Sequence, residues 1–174
     1  MAFIDRIDHP LLRLLYRYWL TRRGQCLMPA RRMIEPQELR ELLPHLFMVD
    51  VERDEDRYRY RLVGTHIRDF LGEELTGRYL EEAAGGRHYM RFKRIFDTVA
   101  NQPAINYFAS EFFWKDRNWL MYRRLLMPLS DDGLTANILI GASVYESRDP
   151  LTDTVRRLDE TIAVRELENE TEAL

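Results

Sequence analysis

Apolar and polar positions along the chain repeat with two different periods. Over residues 9–23 they fall at helical spacing, with Leu11, Leu12, Leu15, Tyr16, Tyr18 and Trp19 forming one broad stripe. Asp8 is placed to cap that helix, and Pro10 suits its first turn. Arg22 and Arg23 sit where cations favour a helix C-terminus, and Gly24 follows. The stripe is wide for a helix that only covers one domain, so Leu11, Leu12, Leu15, Tyr18 and Trp19 are candidates for a dimer interface. An irregular link through Pro29 leads to a short helix opened by Pro36 and ended by Pro44, with Leu39, Leu42 and Leu43 inward.

From Leu46 the period changes to two. Residues 46–52 predict a strand with Phe47, Val49 and Val51 on one face. The turn Arg53-Asp54-Glu55-Asp56 joins it to a second strand, with Tyr58, Tyr60 and Leu62 opposite Arg57, Arg59 and Arg61. Gly64 ends that strand. Thr65 is placed to cap a short helix carrying Ile67, Phe70 and Leu71, and Gly72 stops it. Gly85 and Gly86 predict a break, followed by a helix over 87–101 with Tyr89, Phe92, Phe96 and Val99 at spacings of three and four.

Three strands follow, over 105–114, 119–127 and 135–145, separated by two turns rich in Asp, Asn and Gly. The first two do not alternate cleanly, so both faces of the sheet are expected to be covered. Leu151, Val155, Leu158 and Ile162 predict a tail helix to about Glu166. The fold class is thus α+β: a five-stranded antiparallel sheet with helices, an N-terminal helical extension (1–43), a core (44–146) and an acidic helical tail (147–174).

Charge modifies this picture at the two ends. Residues 1–34 carry seven Arg against two Asp, and residues 159–174 carry six acids against Arg165. Arg13 and Arg17, one turn apart, would suit phosphate, but a solvated polar face beside a packed stripe is the simpler reading, and nucleic acid is not an expected partner. The net charge of −3 gives no global bias toward it either. The single cysteine, Cys26, rules out an internal disulfide and suits a reducing compartment. It reads as a partly buried, inert thiol. No apolar run is long enough to span a membrane, and MAFIDRIDHP does not resemble a signal peptide, so a cytoplasmic protein is expected.

The passage Leu71-Gly72-Glu73-Glu74-Leu75-Thr76-Gly77-Arg78-Tyr79-Leu80 resembles the G-x-x-x-E-L-x-G-x-x-L motif of PAS domains. Pro128-Leu129-Ser130-Asp131-Asp132-Gly133 is similar to their Pro-centred strand end and acidic-Gly turn. With the phrase RYRLVGTHI and the long first helix, the chain looks most like the divergent stand-alone PAS proteins of bacteria. Two departures stand out. Gly64-Thr65-His66 replaces an asparagine common in the family, and Tyr145-Glu146-Ser147-Arg148 replaces the usual Asp-Ile-Thr link to an output domain.

The resemblance implies a sensory, regulatory module that works by protein–protein contact, as a homodimer and on an unidentified signalling partner in trans. A small ligand between helix and sheet would gate it. The alternative is a protein that simply binds a small anion or haem. PAS domains as a class hold haem, flavin, small acids or nothing. A flavin photoadduct needs a cysteine that residues 64–101 lack, so it is not expected. Haem needs an axial histidine, for which His88 and then His66 are candidates, although both also read as ordinary helix-end residues. Tyr60, His66, Phe70, His88, Tyr89, Phe92, Phe96, Tyr107 and Tyr122 are the candidate pocket residues, and they fill much of the volume they would line.

The 24 arginines against two lysines suggest bidentate anion recognition, by Arg91, Arg123 or Arg124 if one reaches the pocket. Ion pairing with surface acids is the simpler reading of most of them. No metal site, nucleophile elbow or phosphate loop is present in the sequence, and no enzymatic activity is expected.

Overall fold

Strands β1 (Leu46–Glu52) and β2 (Arg57–Val63) form the expected hairpin, closed at Asp56 in the left-handed conformation. The computed structural model describes residues 2–102, 104–114, 118–148 and 160–162. Side chains of 85–88, 111–114, 118–120, 147–148 and 160–162 lie outside that description. Strands β3 (Asn106–Trp114), β4 (Asn118–Leu129) and β5 (Ile138–Arg148) follow as an antiparallel meander. β5 returns beside β1, giving the spatial order β2-β1-β5-β4-β3.

A sixth short strand, β6 (Glu160–Ile162), pairs antiparallel with β3, Tyr107 opposite Ile162. A helix was expected there. The unpaired edge of β3 offers backbone donors and acceptors that a helix would leave unsatisfied. The remainder of the expected tail helix lies outside the described residues.

Helices cover both faces. α1 (Phe3–Arg6) and α2 (Pro10–Arg23) lie on one, α3 (Thr65–Leu71) and α4 (Leu80–Asn101) on the other. The short helix expected after Pro36 is two 3-10 turns, Pro36–Leu39 and Leu43–His45. α4 begins at Leu80 and runs through Gly85 and Gly86, where a break was expected. Each interior glycine costs a helix roughly 1 kcal/mol. Anchors on both sides hold this one together. The Glu82 carboxylate accepts the Tyr79 N–H at 2.7 Å, Leu80 is buried, and Ile95, Phe96 and Val99 are buried two turns or more beyond the glycines. At the far end Arg53 donates to the Ala100 and Ala136 carbonyls, both at 2.8 Å, tying the helix C-terminus to the sheet.

The apolar stripe of α2 is spent inside the chain. Leu12, Leu15 and Trp19 are fully buried with Leu125, Met127 and Leu129 of β4, and the Trp19 indole donates to the Pro128 carbonyl at 2.9 Å. These three are therefore core residues, not the dimer contacts they resembled. An exposed sheet face this apolar needs a cover, and the nearest amphipathic helix supplies it. Leu11 and Tyr18 are half-buried and Leu14 is exposed. The α2 cap is His9, whose Nδ1 accepts the Leu11 N–H, and not Asp8. Cys26 is exposed on the link after α2, not partly buried.

A bulge sets the faces of β2. Arg61 is an extra residue opposite the Met48–Val49 step, so Tyr60 pairs with Val49 but Leu62 pairs with Met48. The slip sends Leu62 outward, 39% exposed, and turns Val63 toward α4. Gly64 then lets α3 start. A Cβ there would lie 2.4 Å from the Leu43 carbonyl oxygen and 2.3 Å from that of Pro44. Gly72 closes α3 with φ of 75°, a left-handed cap that glycine adopts freely.

Candidate functional site

The layer between α4 and the sheet is built from aromatic side chains. On β4, alternation sends Tyr122, Arg124 and Leu126 toward α4, while Arg123, Leu125 and Met127 face α2. Phe108 of β3 is paired with Arg124, and Tyr145 of β5 with Tyr122. Phe92 and Phe96 come down from α4. The result surrounds one guanidinium with ring faces. Its carbon lies 4.9 Å from the centroid of Phe92, 5.5 Å from Phe96 and 5.8 Å from Phe108.

Arg124 is 3% exposed. Among the described residues its Nε and Nη2 have no hydrogen-bond partner. A buried cation without a counter-ion is costly unless something else compensates it. Ring faces return part of that cost, and among the described residues the Nε and Nη2 donors remain unsatisfied.

A stacked aromatic column flanks this group. Tyr122 stacks on Tyr145 at 5.0 Å, and Tyr145 on Phe70 of α3 at 4.0 Å. Tyr60 meets Phe47 edge-on at 6.2 Å. Burial pushes the phenols of Tyr60 and Tyr145 well above their ordinary value, with the nearby Arg124 charge offsetting only part of this. Both stay protonated at neutral pH, so neither supplies Arg124 with an anion. The Tyr122 hydroxyl and Ser143 Oγ are 3.4 Å apart.

The predicted pocket residues divide accordingly. Tyr60, Phe70, Tyr89, Phe92, Phe96 and Tyr122 all lie on the α3–α4 side. His66 lies at its rim, its ring 4.2 Å from that of His45 and 6.2 Å from Tyr145, with Nε2 buried and without a hydrogen-bond partner among the described residues. The His88 side chain lies outside the described residues. Tyr107 is a correction. One residue out of phase with Phe108, it faces α2 and its hydroxyl donates to Asp8. Phe108 and Tyr145 belong to the site instead. Tyr145 was legible only through strand register.

Arg123, next in sequence, is satisfied on the opposite face. Its guanidinium pairs with Asp8 at 2.6 Å and with Glu146. Arg13 is also engaged, its Nε donating to the Ile7 carbonyl. Among the described residues no three His, Cys, Asp or Glu side chains gather as a metal site requires. No helix among them is long and apolar enough to cross a membrane.

No curated protein sequence matches the chain. Among solved structures it is similar to the LOV domain of a blue-light activated histidine kinase from Erythrobacter litoralis, at 17% identity and a TM-score of 0.44, over 60% of this chain and 96% of that one. The family model for the PAS domain matches residues 7–144, from the approach to α2 through most of β5. A match of that extent takes in the helix on the second face as well as the sheet and its ring-lined layer, and the chain belongs to the PAS domain family.

Proposed function

We propose that this PAS domain is a sensory and regulatory module, gated by a small ligand held between α3–α4 and the sheet. It acts by protein–protein contact, as a homodimer and on a signalling partner in trans, in the cytoplasm and without catalysis of its own. The observation that carries the reading is Arg124, a charge buried among rings where an aliphatic residue would serve stability better. Polar groups left short of partners inside an apolar layer are what a binding site needs and a core avoids.

A route outward is also present. Arg123 adjoins Arg124 on β4 and grips Asp8, immediately before α2. A shift of β4 on ligand binding would therefore reach the N-terminal segment, where the exposed Leu14 and the half-buried Leu11 and Tyr18 would meet a second copy.

The test is native mass spectrometry and visible absorbance of freshly purified protein. Melting then follows with a panel of nucleotides, carboxylic acids and haem, and sedimentation with and without any hit. The expected outcome is a bound small molecule, a raised melting temperature and a dimer whose population responds to it. A colourless, ligand-free protein whose melting no compound moves would refute gating. A monomer at every concentration would refute the homodimer.

A further inference from the structure

We infer that Arg124 receives the carboxylate of a small organic acid with an apolar body, bound side-on to its Nε–Nη2 edge. This deepens the ligand-gated reading above and rests on it. The argument starts from which donors are open. Nε and Nη2 are the two unsatisfied nitrogens, and they share one edge of the guanidinium plane. Their N–H bonds run parallel, with the spacing of the two oxygens of a carboxylate. An arginine buried only for packing has no reason to leave that particular pair vacant together.

The surroundings select the rest of the ligand. Phe92, Phe96 and Phe108 present ring faces, so the body beyond the carboxylate meets carbon. Among the described residues neither Nε nor Nη2 of Arg124 meets a carboxylate or any other hydrogen-bond acceptor. Arg91 also stands over the Phe108 ring, 4.9 Å from its centroid, but is exposed, so the one guanidinium buried among these rings matches one negative charge. Phosphate, with more charge and more acceptors, would leave oxygens facing rings. The Tyr60 and Tyr145 phenols stay neutral and so do not repel an anion.

The experiment uses the full chain labelled with 15N. It is titrated with benzoate and hexanoate, and in parallel with benzamide, hexanamide and inorganic phosphate. The readouts are the Arg124 Nε–H resonance, assigned by its disappearance in Arg124→Lys, and the melting temperature. The carboxylates should shift that resonance and raise melting, with the isosteric amides weaker by about tenfold or more, since the amide has one oxygen to offer the fork and no charge. Arg124→Gln should lose the same preference. The amide contrast on wild-type protein decides the question even where that variant fails to fold.

Amides binding as tightly as carboxylates would overturn the inference and leave a small-ligand pocket standing. Phosphate acting as strongly as the acids would overturn the choice of anion. No response to any of these probes would overturn the carboxylate site, and it would remove the ligand-gated reading only if the wider panel is silent too.

Discussion

Arg123 and Arg124 are neighbours on one strand and live in opposite environments. Arg123 faces α2, where Asp8 and Glu146 pair with it and Tyr107 completes the network through Asp8. Arg124 faces α4, where it meets three rings and no carboxylate among the described residues. The two faces of the sheet differ in the same way. One is a mostly aliphatic core where Arg123 is paired at the rim, although the Arg23 Nε is buried on that side without a hydrogen-bond partner among the described residues. The other is aromatic and holds its charge in the middle. Both faces exclude water, so burial alone does not distinguish them. What distinguishes the two β4 arginines is whether a carboxylate among the described residues meets the guanidinium.

The aliphatic face breaks most severely at Trp19. It is 1% exposed and its indole N–H is satisfied by Pro128. Trp19→Ala removes a large buried ring and its hydrogen bond, at an expected cost of about 3–5 kcal/mol in urea unfolding. A cost under about 1 kcal/mol would mean that α2 is an appendage to the core rather than part of it.

The adjacent arginines sharpen the contrast through its sign. Arg123→Met leaves Asp8, Glu146 and the Tyr107 hydroxyl without their shared cation. Both carboxylates are about half-exposed, so the expected loss is modest, about 1–2 kcal/mol. Arg124→Met exchanges an uncompensated buried charge for an apolar chain among rings, and should raise stability by about 1 kcal/mol in the absence of ligand. Denaturant midpoints of the two variants test this side by side. If Arg124→Met is destabilised as much as Arg123→Met, the ring faces satisfy the guanidinium and the two faces are alike.

Much of this arrangement could be read in the sequence, and the misses have physical causes. Period-two alternation placed the first hairpin, and apolar runs bounded by turn residues placed the later strands, because both are local properties. The Gly72 cap was legible for the same reason. Gly85-Gly86 misled because a helix is fixed by its anchors, here Glu82, Leu80 and the Ile95–Val99 turn, and not only by its weakest residues. The dimer reading of Leu12, Leu15 and Trp19 failed because a stripe says that something covers it and not what. Tyr107 was read on the wrong face because two adjacent aromatics on a strand whose faces are both buried carry no phase. Arg124 could be named as a candidate beside Arg91 and Arg123. Its isolation from every described carboxylate is a tertiary fact, set by the register of β3, β4 and β5.

Acid probes the aliphatic face at a finer scale, through its cap. His9 Nδ1 accepts the Leu11 N–H at the start of α2, which places the ring proton on Nε2, 3.5 Å from Glu146. Burial lowers its pKa, and Arg123 adds to that, while Glu146 and Asp8 oppose it. Burial also lowers His45, with the neighbouring His66 contributing and the Ser143 carbonyl opposing. A histidine depressed in the folded state takes up its proton later than in the unfolded chain. Stability is therefore complete above about pH 6.5 and declines as pH falls below it toward the folded pKa. Asp8 adds a second decline at lower pH. Burial raises its pKa, but the Tyr107 hydroxyl and Arg123 override this and hold it below the usual carboxylate value, so its contribution is lost on acidification below that value. Urea midpoints at pH 7.5 and 5.5 should therefore differ, with the more acidic sample weaker. His9→Asn keeps a side-chain acceptor at the cap and cannot titrate, so it should flatten part of that difference, and His45→Asn should flatten another part at the opposite rim. A pH dependence unchanged in both variants would show that groups elsewhere carry it, and that the α2 cap is indifferent to the charge of His9.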